Sequence, residues 1–578
     1  NDGIIDSTIQ SICRMESSTW DNSNGLIHAS DGCRTEISGC TIFGGEIASD
    51  GTGVVQIQDN TSISNLTITG GTIEVPNVNG ATGYIAGSII NNGIFQVNSD
   101  HFGTHLKLAA QTHFTGTGTL FLGNHGRNYI DSDGDSYVLI NGPLHTIHGA
   151  DFLGNDLLVI NNQGTINADT PSGVLDVNPA NTSGNINEGL LAASNQGILQ
   201  LSDGQWDNDQ GIIEAQDDSI VRLYGAVVIN GVIRSQGTGV IELMENAHIS
   251  ESTLETGMFR LPNTGGSNAY LSGAITNNAN LELANDHWGT HLKLADDTTL
   301  SGDGFLYIGN YGRNYLDSDG DIHTLTNSSN HTIHGGDYLG NDLVLFDNKG
   351  TIAADVAGWT LYLDSTDTGI STSTGTIKAE NQGILTIEPG DWDSTDGQIL
   401  ADDGSKIVLN SGAGIMNGAL ESRGTGVFEL QNSSNLRDFA VQDSVTLQIT
   451  DWHSANIDGD ITNNGSVTIE SLNNNVSWNC LGATTFSGSG MLTINNTVEI
   501  LGNSITFTND SGHTFQTNTS RNIGIDFVNN GTLDVPDGAA PLFTGTFAST
   551  AGSTIEVAGI LKADQIISME GILAGIGT

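Results

Sequence analysis

A 70-residue stretch of this chain occurs twice, and no other feature constrains the fold as strongly. Residues 100–169 open DHFGTHLKLA, pass through GNHGRNYIDSDGD, and close on HTIHGADFLGNDL and NNQGTINAD. Residues 286–355 read DHWGTHLKLA, GNYGRNYLDSDGD, HTIHGGDYLGNDL and DNKGTIAAD, aligned without a gap at an offset of 186. The two stretches share 43 of 70 positions, whereas 20–99 and 206–285, at the same offset, share 28 of 80. A long internal period marks a repeat architecture, in which each unit buries its apolar face against its neighbours.

The period runs beyond the stretch. Trp20-Asp21, Trp206-Asp207 and Trp392-Asp393 recur at 186-residue steps, GTGV begins at Gly51, Gly237 and Gly424, and Asn-Asn pairs begin at Asn91, Asn277 and Asn463. The sequence divides into copy 1 (1–186), copy 2 (187–372), copy 3 (373–555) and a diverged segment (556–578). Copies 1 and 2 carry the module at 100–169 and 286–355. Copy 3 keeps coil words such as TTFSGSGMLTI, beside TTLSGDGFLYI in copy 2, but lacks DHxGTH, GRNY and DSDGD. The module is an accessory on a fold that does not require it.

Inside each copy runs a finer period of roughly 20 residues, in which apolar residues alternate briefly before Gly, Asn or Asp breaks the run. This predicts an all-β chain, a parallel β-helix solenoid of about nine coils per copy and, at ~4.8 Å per coil, a rod on the order of 130 Å. A β-sandwich array is the alternative, but its strands are joined by hairpin signals that are weak here. Words such as NNGIF at Asn91, NQGTI at Asn162, NKGTI at Asn348 and NNGTL at Asn529 predict corner Asn residues stacked in ladders. Asn and Gly also accept the left-handed backbone of a sharp corner.

Charge removes several partner classes. With 66 acidic against 16 basic residues the formal charge is −50, a field that repels nucleic acid and anionic lipid. No stretch approaches the ~18 apolar residues of a membrane span. The four cysteines (Cys13, Cys33, Cys40, Cys480) are too few for a disulfide framework, although Cys13 and Cys33 stand one coil apart and could pair. The opening NDGIIDSTIQ has no signal-peptide pattern, and both ends read as cuts through a longer repetitive chain.

The residues that could carry chemistry cluster in the module. Asp131, Asp133 and Asp135, repeated as Asp317, Asp319 and Asp321, place carboxylates at alternate positions around a glycine, a pattern suited to Ca²⁺, with Asn128 and Asn314 as further oxygen donors. The competing reading is an ordinary acidic turn. His101, His105, His145 and His148, repeated as His287, His291, His331 and His334, could bind a soft metal; ordering loops or engaging a partner fits non-helical spacing better. Arg127 and Arg313 stand out because cations are rare, and each is expected to pair with a nearby carboxylate or carbonyl. Trp20, Trp206, Trp392 and Trp288 are candidate sugar-stacking platforms, or core plugs at coil corners.

The N-x-G-T-I words at Asn162–Ile166 and Asn348–Ile352 resemble those of large secreted bacterial β-helix repeat proteins, the autotransporter passengers and filamentous-haemagglutinin-type adhesins. The resemblance covers nearly the whole chain and lies in coil chemistry, so it transfers no catalytic residue. It implies a right-handed coil and a secreted or cell-surface bacterial rod, a fibre, sheath or adhesin stalk that self-associates or binds partners. The alternative is a carbohydrate-active β-helix, a lyase, hydrolase or lectin using Asp100, Asp131, Asp133, Arg127 and His145. Against catalysis stand the duplication of the whole constellation and the absence of a nucleophile-plus-base word.

Overall fold

Short apolar alternations broken by Gly, Asn or Asp make strands too brief to bury their own apolar side chains, so each must pair with the next coil. The structure is a computed structural model describing residues 1–264, 267–471, 474–495 and 497–578. Those residues form no helix; their strands run parallel and stack into a β-solenoid of about 26 turns. Phe95, Leu120, Ile147, Ile166 and Leu191 stack in one inward column, so successive coils take 25, 27, 19 and 25 residues. All five are fully buried. Coils are therefore longer and less uniform than the expected 20 residues, because corner loops absorb insertions while the strands keep register.

Two compact units, Asn1–Glu282 and Leu283–Thr578, divide the chain, and the boundary between them falls within the second repeat copy. In the first unit, Trp20 stacks on Ile42, and the column passes through Ile63 and Ile85 to Leu108, which faces Ser132; two residues earlier on that strand, Ile130 carries the same face on through Leu153 and Val177 to Leu201. Trp206 lies five residues further on, on the next strand, paired with Asn185 and Val228 of the neighbouring face. A 186-residue period thus spans eight coils plus one face, not nine whole coils, and Trp20 and Trp206 stand on different faces. In the second unit, aromatic rings fill much of the third copy's interior: Phe486, Phe507, Phe527 and Phe547 stack at centroid spacings of 5.6, 5.7 and 5.7 Å.

The expected Asn ladders are present. Asn141 Nδ2 donates to Asn162 Oδ1 (2.8 Å), Asn162 to Asn187 (2.8 Å) and Asn187 to Asn208 (2.6 Å). The second unit repeats the contact from Asn327 to Asn348 (2.8 Å) and from Asn509 to Asn529 (2.7 Å). These amides are almost wholly buried, and pairing removes the penalty that an unbonded buried amide would carry. The GTGV words are corners of another kind. Asp31, Asp217 and Asp403 accept from both the amide and the hydroxyl of Thr52, Thr238 and Thr425 one coil later, which holds each carboxyl below its usual range. All four cysteines are free, and Cys13 stands opposite Thr35, not Cys33.

Candidate functional site in the duplicated module

The GRNY word forms a loop whose successive amides point at one carboxylate. Asp151 Oδ1 accepts from His125 N (3.1 Å) and Gly126 N (2.6 Å); Oδ2 accepts from Arg127 N (3.3 Å), Asn128 N (3.2 Å) and Asn128 Nδ2 (2.6 Å). Consecutive amides of this kind make an anion-binding nest, here filled by the chain's own carboxylate. Asp337 repeats it against Tyr311 N (3.1 Å), Gly312 N (2.5 Å), Asn314 N (3.2 Å) and Asn314 Nδ2 (2.6 Å). Asp151 and Asp337 are buried, and Asp151 adopts φ 65°, which Asp tolerates better than most residues. The side-chain amides of Asn128 and Asn314 also reach back one coil, to Ser99 (2.6 and 3.2 Å) and Asn285 (2.9 and 3.2 Å).

The basic residue of each GRNY word braces the loop of the DHxGTH word. Arg127 Nη1 donates to His101 O and Arg313 Nη1 to His287 O, both at 2.6 Å. The expected pairing is thus with a backbone carbonyl. At the tips of the braced loops Phe102 and Trp288 are 37% and 52% exposed, each edge-on to the preceding histidine ring at 4.7 and 5.4 Å. His101 and His287 are themselves exposed.

The acidic loop is divided. Asp131 and Asp317 lie at the ends of the strands Asn128–Ser132 and Asn314–Ser318 and are buried. Their Oδ2 atoms pair with His105 Nδ1 (2.9 Å) and His291 Nδ1 (2.8 Å), while each Oδ1 is buried without a hydrogen-bond partner among the described residues. Asp133, Asp135, Asp319 and Asp321 are exposed, and the serine between the first two carboxylates of each loop turns back to the carbonyl of Asp135 or Asp321. Among the described residues, three metal-ligating groups come within 4.8 Å of one another at Asp296, Asp297 and His323, on the flank of the second loop, and not within either DSDGD word. His105 and His291 also cap stacked columns of rings: His105 on Tyr129 (4.6 Å) and Tyr129 on Phe152 (4.8 Å), His291 on Tyr315 (4.6 Å), Tyr315 on Tyr338 (4.7 Å) and Tyr338 on Tyr362 (4.9 Å). Rings stacked face on face offer edges, not faces, to a ligand.

The remaining histidines separate into two kinds. His148 and His334 pair at the surface with Asp169 (2.9 Å) and Asp355 (2.8 Å). His145 is fully buried: Nδ1 donates to Asn141 Oδ1 (2.7 Å), Nε2 accepts from Asn91 Nδ2 (3.1 Å), and Phe114 stacks on the ring at 5.0 Å. Asn141 Oδ1 is available because its Nδ2 is committed to the ladder, which sets the tautomer. His331 bonds Asn327 Oδ1 in the same way, and His513 bonds Asn509 Oδ1 (2.7 Å) and Asn463 Nδ2 (3.0 Å). Burial lowers all three imidazoles from 6.5 to about 4, so they are neutral near pH 7. The third copy therefore retains this node although it lacks the rest of the module.

Two expected sugar platforms are withdrawn by burial. Trp206 and Trp392 are fully enclosed, because alternation in the Gln205–Asp207 and Gly390–Asp393 strands turns the ring inward. Trp20 is half-buried with Nε1 on Ser18 Oγ (3.0 Å), and Trp288 is exposed. The carboxylates Asp151 and Asp337 were absent from the sequence-derived candidates, as were Phe102 and His513. The signals were available: HTIHGxD is kept in both modules, and the spacing N-x-x-x-H recurs at Asn141/His145, Asn327/His331 and Asn509/His513. No known protein-family model matches the chain, and no curated protein matches it significantly.

Proposed function

We propose that the chain is a structural or adhesive scaffold of a bacterial cell surface or extracellular layer, associating with further copies of itself through its two modules. One observation carries the reading. Each module holds an aromatic side chain at the tip of a loop braced by an arginine and seated on a carboxylate-filled nest. A rigid, exposed aromatic is the anchor that protein interfaces favour, because little conformational freedom is lost on docking. Two groups named for the catalytic alternative are held elsewhere: Arg127 on a backbone carbonyl and His145 within the core. Calcium enters this reading through the exposed Asp133, Asp135, Asp319 and Asp321, where it would lower the charge between approaching copies.

Photo-crosslinkers placed singly at Phe102 and Trp288 test the reading. Chain-to-chain adducts from these positions, and none from the exposed Ile90 outside the modules, are expected. Adducts absent from both loops, or equal at all three positions, would refute it. A carbohydrate-binding role is supported at a different place, a polar hollow outside the modules.

A further inference from the structure

A hollow of about 700 Å³ lies in the third copy. It follows one face of the strands Gly390–Asp393, Ala413–Met416, Asn435–Arg437 and Ser454–Asn463. Trp392, Ile415, Leu436 and Ile457 point inward and are buried, so their neighbours form two outward columns. One column holds Asp391, Gly414, Asn435 and Asn456; the other holds Met416, Arg437 and Asp458.

The equivalent strands of copy 2 show what has changed. Their columns carry Gln205, Val227, His248 and Tyr270, and Ile229, Ser250 and Ser272. Glycine in place of valine and asparagine in place of tyrosine empty the first column. Arginine and aspartate in place of two serines charge the second. A Cβ on Gly414 would come within 2.3 Å of Asp391 Oδ1, so the missing side chain lets the Asp391 carboxylate lie over Gly414 and line the hollow.

Its lining combines donors and acceptors. Arg437 Nε is 3.1 Å from Asp438 Oδ2, and Asn456 Nδ2 donates to Asn435 Oδ1 at 2.7 Å. Asp458 accepts from the Leu481 and Gly482 amides of the loop that walls one side, and burial still raises its carboxyl above the usual range. Leu481, 62% exposed, supplies an apolar rim.

We propose that this hollow binds a neutral, hydroxyl-rich ligand, an oligosaccharide segment. A hydroxyl both donates and accepts, and so matches carboxylates, amides and a guanidinium set side by side. An anion would face Asp391, Asp438 and Asp458. For a cation, Asp438 is already paired with Arg437, and among the described residues the hollow's carboxylates form no three-ligand cluster for a metal. The inference is independent of the module reading, since neither module contributes a residue.

The test is calorimetric titration of the whole chain with neutral gluco-, galacto- and manno-oligosaccharides, their uronic-acid counterparts, and spermidine. The variant carrying Gly414→Val and Asn456→Tyr refills the hollow with residues the coil already accepts in copy 2. Asp458→Ser, the copy 2 residue, removes a charge without filling space. At least one neutral oligosaccharide should bind the native chain. Affinity should fall about tenfold or more in the filled variant and several-fold in Asp458→Ser, as lost buried hydrogen bonds require. Unchanged melting and circular dichroism would show that the fold is kept; if the filled variant misfolds, Asp458→Ser decides. Failure of every neutral oligosaccharide to bind at millimolar concentration, binding that survives in the decisive variant, or binding of spermidine or uronic acids alone would overturn the proposal.

Discussion

His145→Gln isolates the cost of protonating a buried imidazole. The folded protein holds His145 near 4 against an ordinary 6.5, through burial. Because the folded value is the lower one, the stabilisation is complete above pH 6.5 and drains away as pH falls towards 4. Linkage puts the full contribution at about 3 kcal/mol, most of which disappears between pH 7 and pH 4.5. Geometry gives the cause: protonated Nε2 would turn a donor towards Asn91 Nδ2, which donates already. Glutamine can keep one donor and one acceptor at the site but cannot titrate. Any fixed cost of the substitution, and the titration of every carboxylate, cancels in the pH difference between the two proteins. A solenoid opens locally, so the readout is hydrogen exchange at the Ile147 and Ile166 amides of adjoining coils, corrected for intrinsic rates. The native chain should lose about 2 kcal/mol more local stability than His145→Gln over that pH interval. Equal losses would refute the assigned role.

Two further substitutions probe other charges. Asp151→Asn keeps size and left-handed backbone but turns an amide donor into a nest of N–H groups; it should cost about 3 kcal/mol locally, seen as faster exchange at His125–Asn128 and a loosened Phe102 loop. Asp364 is raised to about 6, first by burial and then by Glu388, Asp342 and Asp367. Its penalty is absent below the ordinary 3.8, grows as pH rises towards 6 and is complete above it. Discounted for its exposure, the penalty is about 1 kcal/mol, so Asp364→Asn should raise the midpoint of urea unfolding at pH 8 and leave it unchanged at pH 4.

What the sequence revealed follows from how locally each feature is encoded. The Asn words predict the ladders because the same residue must recur at each corner, and Asn141, Asn162, Asn187 and Asn208 do so. The division of the DSDGD carboxylates was hidden, because Asp131 is drawn away by a histidine 26 residues earlier. The Asp151 nest is built from backbone amides, which any residue except proline could supply. The rotation by one face per copy was hidden too: it depends on the coil count between Trp20 and Trp206, and coils of 19 to 27 residues leave a single period ambiguous. The buried Trp206 and Trp392 show the same limit, since a Trp-Asp word reads alike whether its ring faces core or solvent.

Sedimentation across a concentration series, with and without Ca²⁺, tests the scaffold reading most directly. The native chain should show a weight-average mass that rises with concentration, more steeply with Ca²⁺. The Phe102→Ser, Trp288→Ser variant should remain at the 60.4 kDa of one chain under the same conditions. A native chain that stays monomeric throughout, or a variant that associates as well as the native chain, would contradict it.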